Sequence, residues 1–379
     1  MASCIRFLQC AGFRFDSPSW DGPEKWIALR NQDLWQTFQA ILSLCQSEKI
    51  EFLFVCGNLF EQEYVRKETV ERVASLLAKL EGTRIFITPG SSDPLIMTSA
   101  YRLAVWPSNV HIFSSGVSSV KVPSHNVTIS GAGWTTYHQE ISFLNGFHTT
   151  NDEMIQVMLL HAEVDSEQNT EGYTPILPEH IASSGLTYLA LGDQKSWTGE
   201  QKAGKTFWAN CGSPEARSFR ESGSHGVIIG QIENEFVQIE FKELGQRRYV
   251  EKTMLFQSDI EELSAKILLE TSPEERQRDL FRIKLTGPYK KVESALLPIQ
   301  KRLMNEFRYL DVVPFDNETI SRNLTISQND GYPTLTKVFF DKLQESPIIA
   351  ENDESYKRWE LAKKIGMSAL GQGRINYDN

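Results

Sequence analysis

The chain has few cysteines, and they follow no ligand spacing. Its five cysteines (Cys4, Cys10, Cys45, Cys56, Cys211) include no C-x-x-C pair and are odd in number. That excludes a zinc ribbon or a disulfide scaffold and leaves reduced, mostly buried thiols as the expectation. No apolar run approaches the ~18 residues that a membrane span requires. The start, Met1-Ala2-Ser3-Cys4-Ile5, enters an apolar stretch without a basic leader, so a cytoplasmic location without membrane contact is expected. There is no basic excess either. The net charge of −10 gives no long-range attraction for polyanions, so any DNA contact must come from a local patch or a partner. What remains is an ordinary globular balance, 40% hydrophobic and 23% charged over 379 residues.

Hydrophobic periodicity divides the chain. Residues 5–8, 52–55 and 84–88 read as buried strands, and they alternate with helical patterns over 32–47 and 69–80. This β-α-β-α-β order predicts a layered α/β domain. Short strands follow at 110–113, 118–121 and 127–131, then apolar strands at 155–160 and 186–191. Residues 226–232 and 235–241 read as a hairpin turning at Glu233-Asn234. From about residue 255 a second unit alternates helix 260–269, strand 279–285, helix 289–307 with Pro298 as a kink, and strand 309–313. Residues 315–333 are polar and loop-like. Residues 334–344 and 355–370 have helical spacing.

Five segments sit at the ends of predicted strands in the first unit. They are Ala11-Gly12-Phe13-Arg14-Phe15-Asp16-Ser17-Pro18, Gly57-Asn58-Leu59-Phe60-Glu61, Pro89-Gly90-Ser91-Ser92-Asp93-Pro94, Leu159-Leu160-His161-Ala162 and Ala190-Leu191-Gly192-Asp193-Gln194-Lys195. A sixth, Gly212-Ser213-Pro214-Glu215-Ala216-Arg217-Ser218-Phe219, is followed by Glu221 to Gly226. In order and context the set resembles the SbcD-type DNA exonucleases among the calcineurin-like metallophosphoesterases. The likeness runs from Ile5 to about Val250, with a weaker cap-domain match beyond. It implies a two-sheet α/β sandwich over 1–253, a small α+β cap over 254–316, and a linker with C-terminal partner-docking helices over 317–379.

The residues that the resemblance would make metal ligands are mostly gone. Family members carry Asp and His where this chain has Gly12 and Arg14, Asp at Asn58, Asn-His at Ser91-Ser92, and His-x-His at Asp193 and Lys195. His161 alone is kept. Counting these positions, a template charge of −2 becomes +1, with Arg14 and Lys195 set against Asp193. One cation 4 Å from a dication opposes it by about 8 kcal/mol at an effective dielectric of 20. A family-type binuclear centre is therefore not expected, and neither metal nor cofactor is assigned. Manganese belongs only to an alternative, an active exonuclease with an altered or partner-completed site. Arg14 is expected to pair with Asp193 or Asp93; otherwise Arg14 and Lys195 would hold a phosphate. Ser91 and Ser92 beside His161 invite a nucleophile, but catalysis would also need an oriented base and an oxyanion site. The other histidines lack ligand spacing.

The family nuclease pairs with an SbcC-type SMC-like ATPase. A stripe through Trp359, Ala362, Ile365 and Leu370, with basic neighbours, is a candidate docking face for that partner. Arg247-Arg248, Lys290-Lys291 and Lys301-Arg302 are basic pairs that read more readily as solvated surface than as phosphate contacts. The expectation is a non-catalytic subunit, a pseudonuclease that scaffolds an SMC-like ATPase in DNA-end processing or repair. It would reach DNA through the complex, and a homodimer is compatible with it.

Overall fold

The computed structural model describes residues 4–139, 142–150, 154–164, 176–257 and 259–315. Strands β1 (Cys4–Cys10), β2 (Phe52–Cys56), β3 (Arg84–Thr88) and β4 (Val110–Ile112) alternate with helices α1 (Trp26–Ser47) and α2 (Lys67–Ala78). Then come β5 (Ser118–Val122), β6 (Val127–Gly131), β7 (Ile155–His161), α3 (Pro178–Ser183), β8 (Tyr188–Gly192), β9 (Gln201–Ala203) and β10 (Thr206–Asn210). The hairpin β11 (Gly226–Glu233) and β12 (Phe236–Glu243) closes this part. Two six-stranded sheets result, ordered β12-β11-β1-β2-β3-β4 and β5-β6-β7-β8-β10-β9. The first runs parallel from β1 to β4, and the second parallel through β6, β7, β8 and β10.

Alternation along the strands builds the layers. In β2, Phe52, Phe54 and Cys56 join Phe7, Phe86, Val157, Leu159 and Tyr188 in a core between the sheets. Leu53 and Val55 point the other way, onto Leu34, Phe38 and Ile41 of α1 and Val70, Val73 and Leu77 of α2. On the outer face of the second sheet, Met158, Leu160, Leu189 and Leu191 pack with Ile181 of α3. Strands covered on both faces read as unbroken apolar runs, which is why β2 and β8 were legible without a period-two pattern. The α/β sandwich expected from the sequence is present.

Some bounds shift. Helix α1 starts at Trp26, not at 32, because its first turns bury Trp26 and Arg30 rather than an aliphatic stripe. The hairpin turns at Asn234-Glu235, since Glu233 still pairs with Phe236 and Asn234 takes the left-handed conformation at φ 55°. Strands β9 and β10 and helix α3 were not anticipated.

Further along lie β13 (Tyr249–Leu255), α4 (Ile260–Leu269), α5 (Pro273–Arg278), β14 (Leu280–Thr286), α6 (Tyr289–Leu303) and β15 (Leu310–Pro314). Strands β13, β14 and β15 form a third sheet in that order. Helix α6 continues past Pro298 and ends at Leu303, short of residue 307. The chain packs as two compact units. Among the described residues, one holds those of 4–252, 260–283 and 297–312; the other holds those of 253–259, 284–296 and 313–315. In the second unit the Phe256 amide donates to Thr286 and the Phe315 amide to Leu285. The proposed docking residues Trp359, Ala362, Ile365 and Leu370 lie outside the described residues. No helix among the described residues is long and apolar enough to cross a membrane.

Candidate functional site

The parallel strands end in loops that converge on a cavity of about 500 Å³. In sheets of this kind, ligands bind beyond the carboxyl ends of the strands. All eight positions picked out by sequence line it: Gly12, Arg14, Asn58, Ser91, Ser92, His161, Asp193 and Lys195. Two glycines allow this convergence. A Cβ on Gly192 would lie 2.0 Å from the Cys56 carbonyl oxygen, and one on Gly57 (φ 86°) would lie 2.4 Å from His161 Nδ1. Arg14 (φ 45°), Asn58 (φ 55°) and Asp193 (φ 142°) hold positive φ without being glycine. Such backbone is retained only where its surroundings over-determine it.

His161 is the floor of the cavity, with its side chain 1% exposed. Its Nδ1–H donates to the Cys56 carbonyl at 3.2 Å. Its Nε2 lies 3.2 Å from Asp193 Oδ1 and 3.2 Å from Ser91 Oγ. Burial by itself lowers the imidazole pKa, but Asp193 outweighs it, with smaller help from the Cys56 carbonyl and Asp93, and the net shift is upward. For Asp193, burial raises the carboxyl pKa; His161, Arg14 and Lys195 reverse this and leave it lowered. The two form an internal ion pair. Nε2 faces the Asp193 carboxylate as well as Ser91, so it is not free to act as a base toward the Ser91 hydroxyl.

Arg14 does not pair with Asp193 or Asp93, as the sequence had led us to expect. Its Nη2 and Nε lie 2.7 and 2.8 Å from Glu61 Oε2. Asp193 is held by His161 instead. Asp93 is enclosed by the backbone amides of Asn58, Leu59, Phe60 and Gly90. Lys195 lies 3.7 Å from Glu221. Asn58 turns its Oδ1 toward the Ser92 amide at 2.8 Å.

Sequence reasoning left out Glu61, Glu63, Arg217 and Glu221, which also line the cavity. Three cations (Arg14, Lys195, Arg217) therefore face four carboxylates (Glu61, Glu63, Asp193, Glu221), and the +1 counted at the ligand positions is offset by their neighbours. Arg217 donates to the Phe13 and Arg14 carbonyls and stacks 4.1 Å from the Trp20 ring centre. Burial, and Arg14 beside it, push its guanidinium down to about 9, so it still carries its charge at neutral pH. A signal was present for three of these residues: Glu61 closes the second segment, Arg217 lies in the sixth, and Glu221 begins the stretch that follows it.

With this geometry in hand, comparisons with known proteins can be weighed. No protein-family model matches the chain. It is 22% identical over 259 residues to an uncharacterised metallophosphoesterase, YhaO, of Bacillus subtilis strain 168, covering 64% of this chain and 61% of that one. The chain thus spans less than two thirds of that relative. Among solved structures, it is similar in shape to the calcineurin-like phosphoesterase YfkN of Bacillus subtilis (TM-score 0.38, 12% identity, 62% of this chain and 85% of that one). It is also similar to a dimetal phosphatase from Danio rerio (TM-score 0.38, 8% identity, 62% and 98%).

A metal pair does not fit the residues present. Among the described residues no three His, Cys, Asp or Glu side chains converge as a metal-binding group. A two-metal centre needs several charged ligands around ions ~3.5–4 Å apart. The eight positions offer one imidazole tied to a carboxylate and one amide already accepting a backbone N–H, while Glu61 and Glu221 on the wall are paired with Arg14 and Lys195.

The ion pair makes a pH prediction. A raised His161 pKa contributes stability that is complete below its unfolded value of about 6.5 and fades as pH rises through the folded value. The lowered Asp193 pKa contributes stability present above about 3.9 and lost as pH falls through its folded value. The pair therefore helps most in weak acid. By NMR, His161 is expected to titrate above about 6.5, and lower in Asp193→Asn, where burial is opposed only by the Cys56 carbonyl and Asp93. An unchanged titration in the variant would contradict the pairing.

Of the basic pairs, Arg247 bonds Asp33, Arg248 bonds Glu243 and Arg302 bonds Glu261. Arg247, Arg248 and Arg302 are thus each paired with a carboxylate.

Proposed function

We propose that the chain is a non-catalytic member of a metallophosphoesterase-fold group, a pseudonuclease that scaffolds an SbcC-type SMC-like ATPase in DNA-end processing or repair. The observation that supports the non-catalytic part is the rebuilt pocket floor. At positions where the SbcD-type pattern has ligands, His161 is held by Asp193, and Arg14 is held by Glu61. A dication entering there would meet an imidazole engaged by Asp193 and a guanidinium engaged by Glu61, and would have to break both contacts. The ATPase partnership and the DNA role are carried over from the motif resemblance, and the segment through Trp359 and Leu370 is the proposed docking face.

The test is co-expression of the full chain with an SbcC-type ATPase, followed by gel filtration and nuclease assays with manganese. The expected result is a stable complex that is lost when residues 317–379 are deleted, with no DNA cleavage by the subunit alone or in complex. Manganese-dependent cleavage abolished by His161→Ala would overturn the proposal in favour of an active, altered exonuclease.

A further inference from the structure

The pocket's cations are only half used. Arg14 turns Nε and Nη2 to a single oxygen of Glu61, and its side chain is 39% exposed. Its Nη1 edge makes no bond among the described residues. Lys195 has one distant partner, Glu221 at 3.7 Å, and is 68% exposed. Both cations line the same cavity as Asp193. Beside them, Gln194 Oε1 is a buried acceptor with no hydrogen-bond partner. Buried acceptors are rarely left unpaired, and each such case calls for a missing donor. The cavity thus has two spare cationic donors and one stranded acceptor. It lies within the size range of small-molecule sites.

We propose that this pocket binds a phosphomonoester group without metal. Arg14 and Lys195 would contact its anionic oxygens, and Gln194 would accept from a hydroxyl of the phosphate or of the attached sugar. The inference rests on the reading that the pocket is not a metal centre. Guanidinium and ammonium donors are suited to phosphate oxygens because the charge strengthens each hydrogen bond. Glu61 and Glu221 oppose it. They hold the cations in place when no ligand is bound, and they compete with the ligand for the same protons.

That competition gives the test an unusual sign. The full chain is titrated calorimetrically, in chelator-treated buffer, with inorganic phosphate, a 5′-mononucleotide and a 5′-phosphorylated oligonucleotide. Arg14→Gln is expected to weaken binding about tenfold or more, and Glu61→Gln to strengthen it several-fold by releasing Arg14 and removing a negative charge. Preference for the mononucleotide would assign a small nucleotide ligand; preference for the oligonucleotide would assign a DNA end. Both variants changing affinity in the same direction, or no binding of any probe at about 10 mM, would overturn the inference. A repeat with manganese separates the two failures. Binding that requires manganese removes the non-metal reading as well. Absence of binding with and without it removes only this site.

Discussion

Replacing Arg30 with methionine is expected to destabilise the protein by about 3–5 kcal/mol, although the residue touches neither the cavity nor any apolar stripe. Arg30 and its carboxylate partners are almost wholly shielded from solvent. Its Nη1 lies 2.8 Å from Asp33 and its Nη2 lies 2.6 Å from Glu215, with a further bond to the Ala216 carbonyl. Trp20 and Tyr249 cover its guanidinium at 5.1 and 5.5 Å from their ring centres. Burial alone would pull its pKa down; Glu215, with Tyr249 and Asp33, holds it above the ordinary value. Removing the cation leaves Glu215 with Thr37 and the Gln246 amide but without a positive charge. Asp33 keeps Arg247 at 2.9 Å. The larger part of the loss is therefore the stranded charge of Glu215. Arg30→Met combined with Glu215→Gln should be more stable than Arg30→Met alone by about 1–2 kcal/mol in urea unfolding. A single variant within about 1 kcal/mol of the parent would show that the network is worth little.

This network also positions the pocket. Glu215 and Arg217 are two residues apart. Glu215 is tied to α1 through Arg30, while Arg217 reaches the backbone at Phe13 and Arg14. His225 joins the same loop from the start of β11, next to Ser213 and the Glu221 carbonyl. The sixth segment thus has a structural function of its own.

How much of this was legible depends on which force sets each feature. The central strands of both sheets could be read because burial on two faces makes apolar runs such as Phe52-Leu53-Phe54-Val55. The convergence of Gly12, Asn58, Ser91, His161 and Asp193 could be read because loop order follows strand order. The first turns of α1 could not, because Arg30 is buried by ion pairing and polarity there mimics a solvated helix. Strands β9 and β10 were hidden in Gln201–Asn210, where Lys202, Gly204 and Lys205 resemble loop chemistry. Pairing inside the pocket was misread for a related reason. Spacing shows which strand ends meet, but not which of several carboxylates is within reach of Arg14.

The same distinction applies to the carboxylates at the strand ends, and Asp93 is the sharpest case. Asp93 is fully buried. Its Oδ1 accepts from the amides of Asn58 at 3.1 Å and Gly90 at 2.7 Å. Its Oδ2 accepts from Leu59 at 2.7 Å, Phe60 at 3.1 Å and the Tyr101 hydroxyl at 2.6 Å. One carboxylate thus satisfies four backbone donors from two strand-end loops. Burial, with Asp93 beside it, drives the Tyr101 phenol well above its usual pKa, so it remains a donor. Asp16 acts similarly at the surface of the first segment. It caps α2 through the Arg66 amide at 3.0 Å and the Thr69 hydroxyl at 2.6 Å. Neither carboxylate needs a metal for this. Asp93→Ala should cost about 4–5 kcal/mol, because it orphans buried donors as well as removing bonds. Asp93→Asn should cost nearly as much, since its amide would point N–H groups at N–H donors. Tyr101→Phe, which removes one bond of the five, should cost about 1–2 kcal/mol. That ordering, measured as shifts of the urea midpoint, separates a backbone clasp from a vestigial ligand. If Asp93→Asn were neutral, the clasp would be worth little, and the five bonds to Asp93 would not be what holds the two loops together.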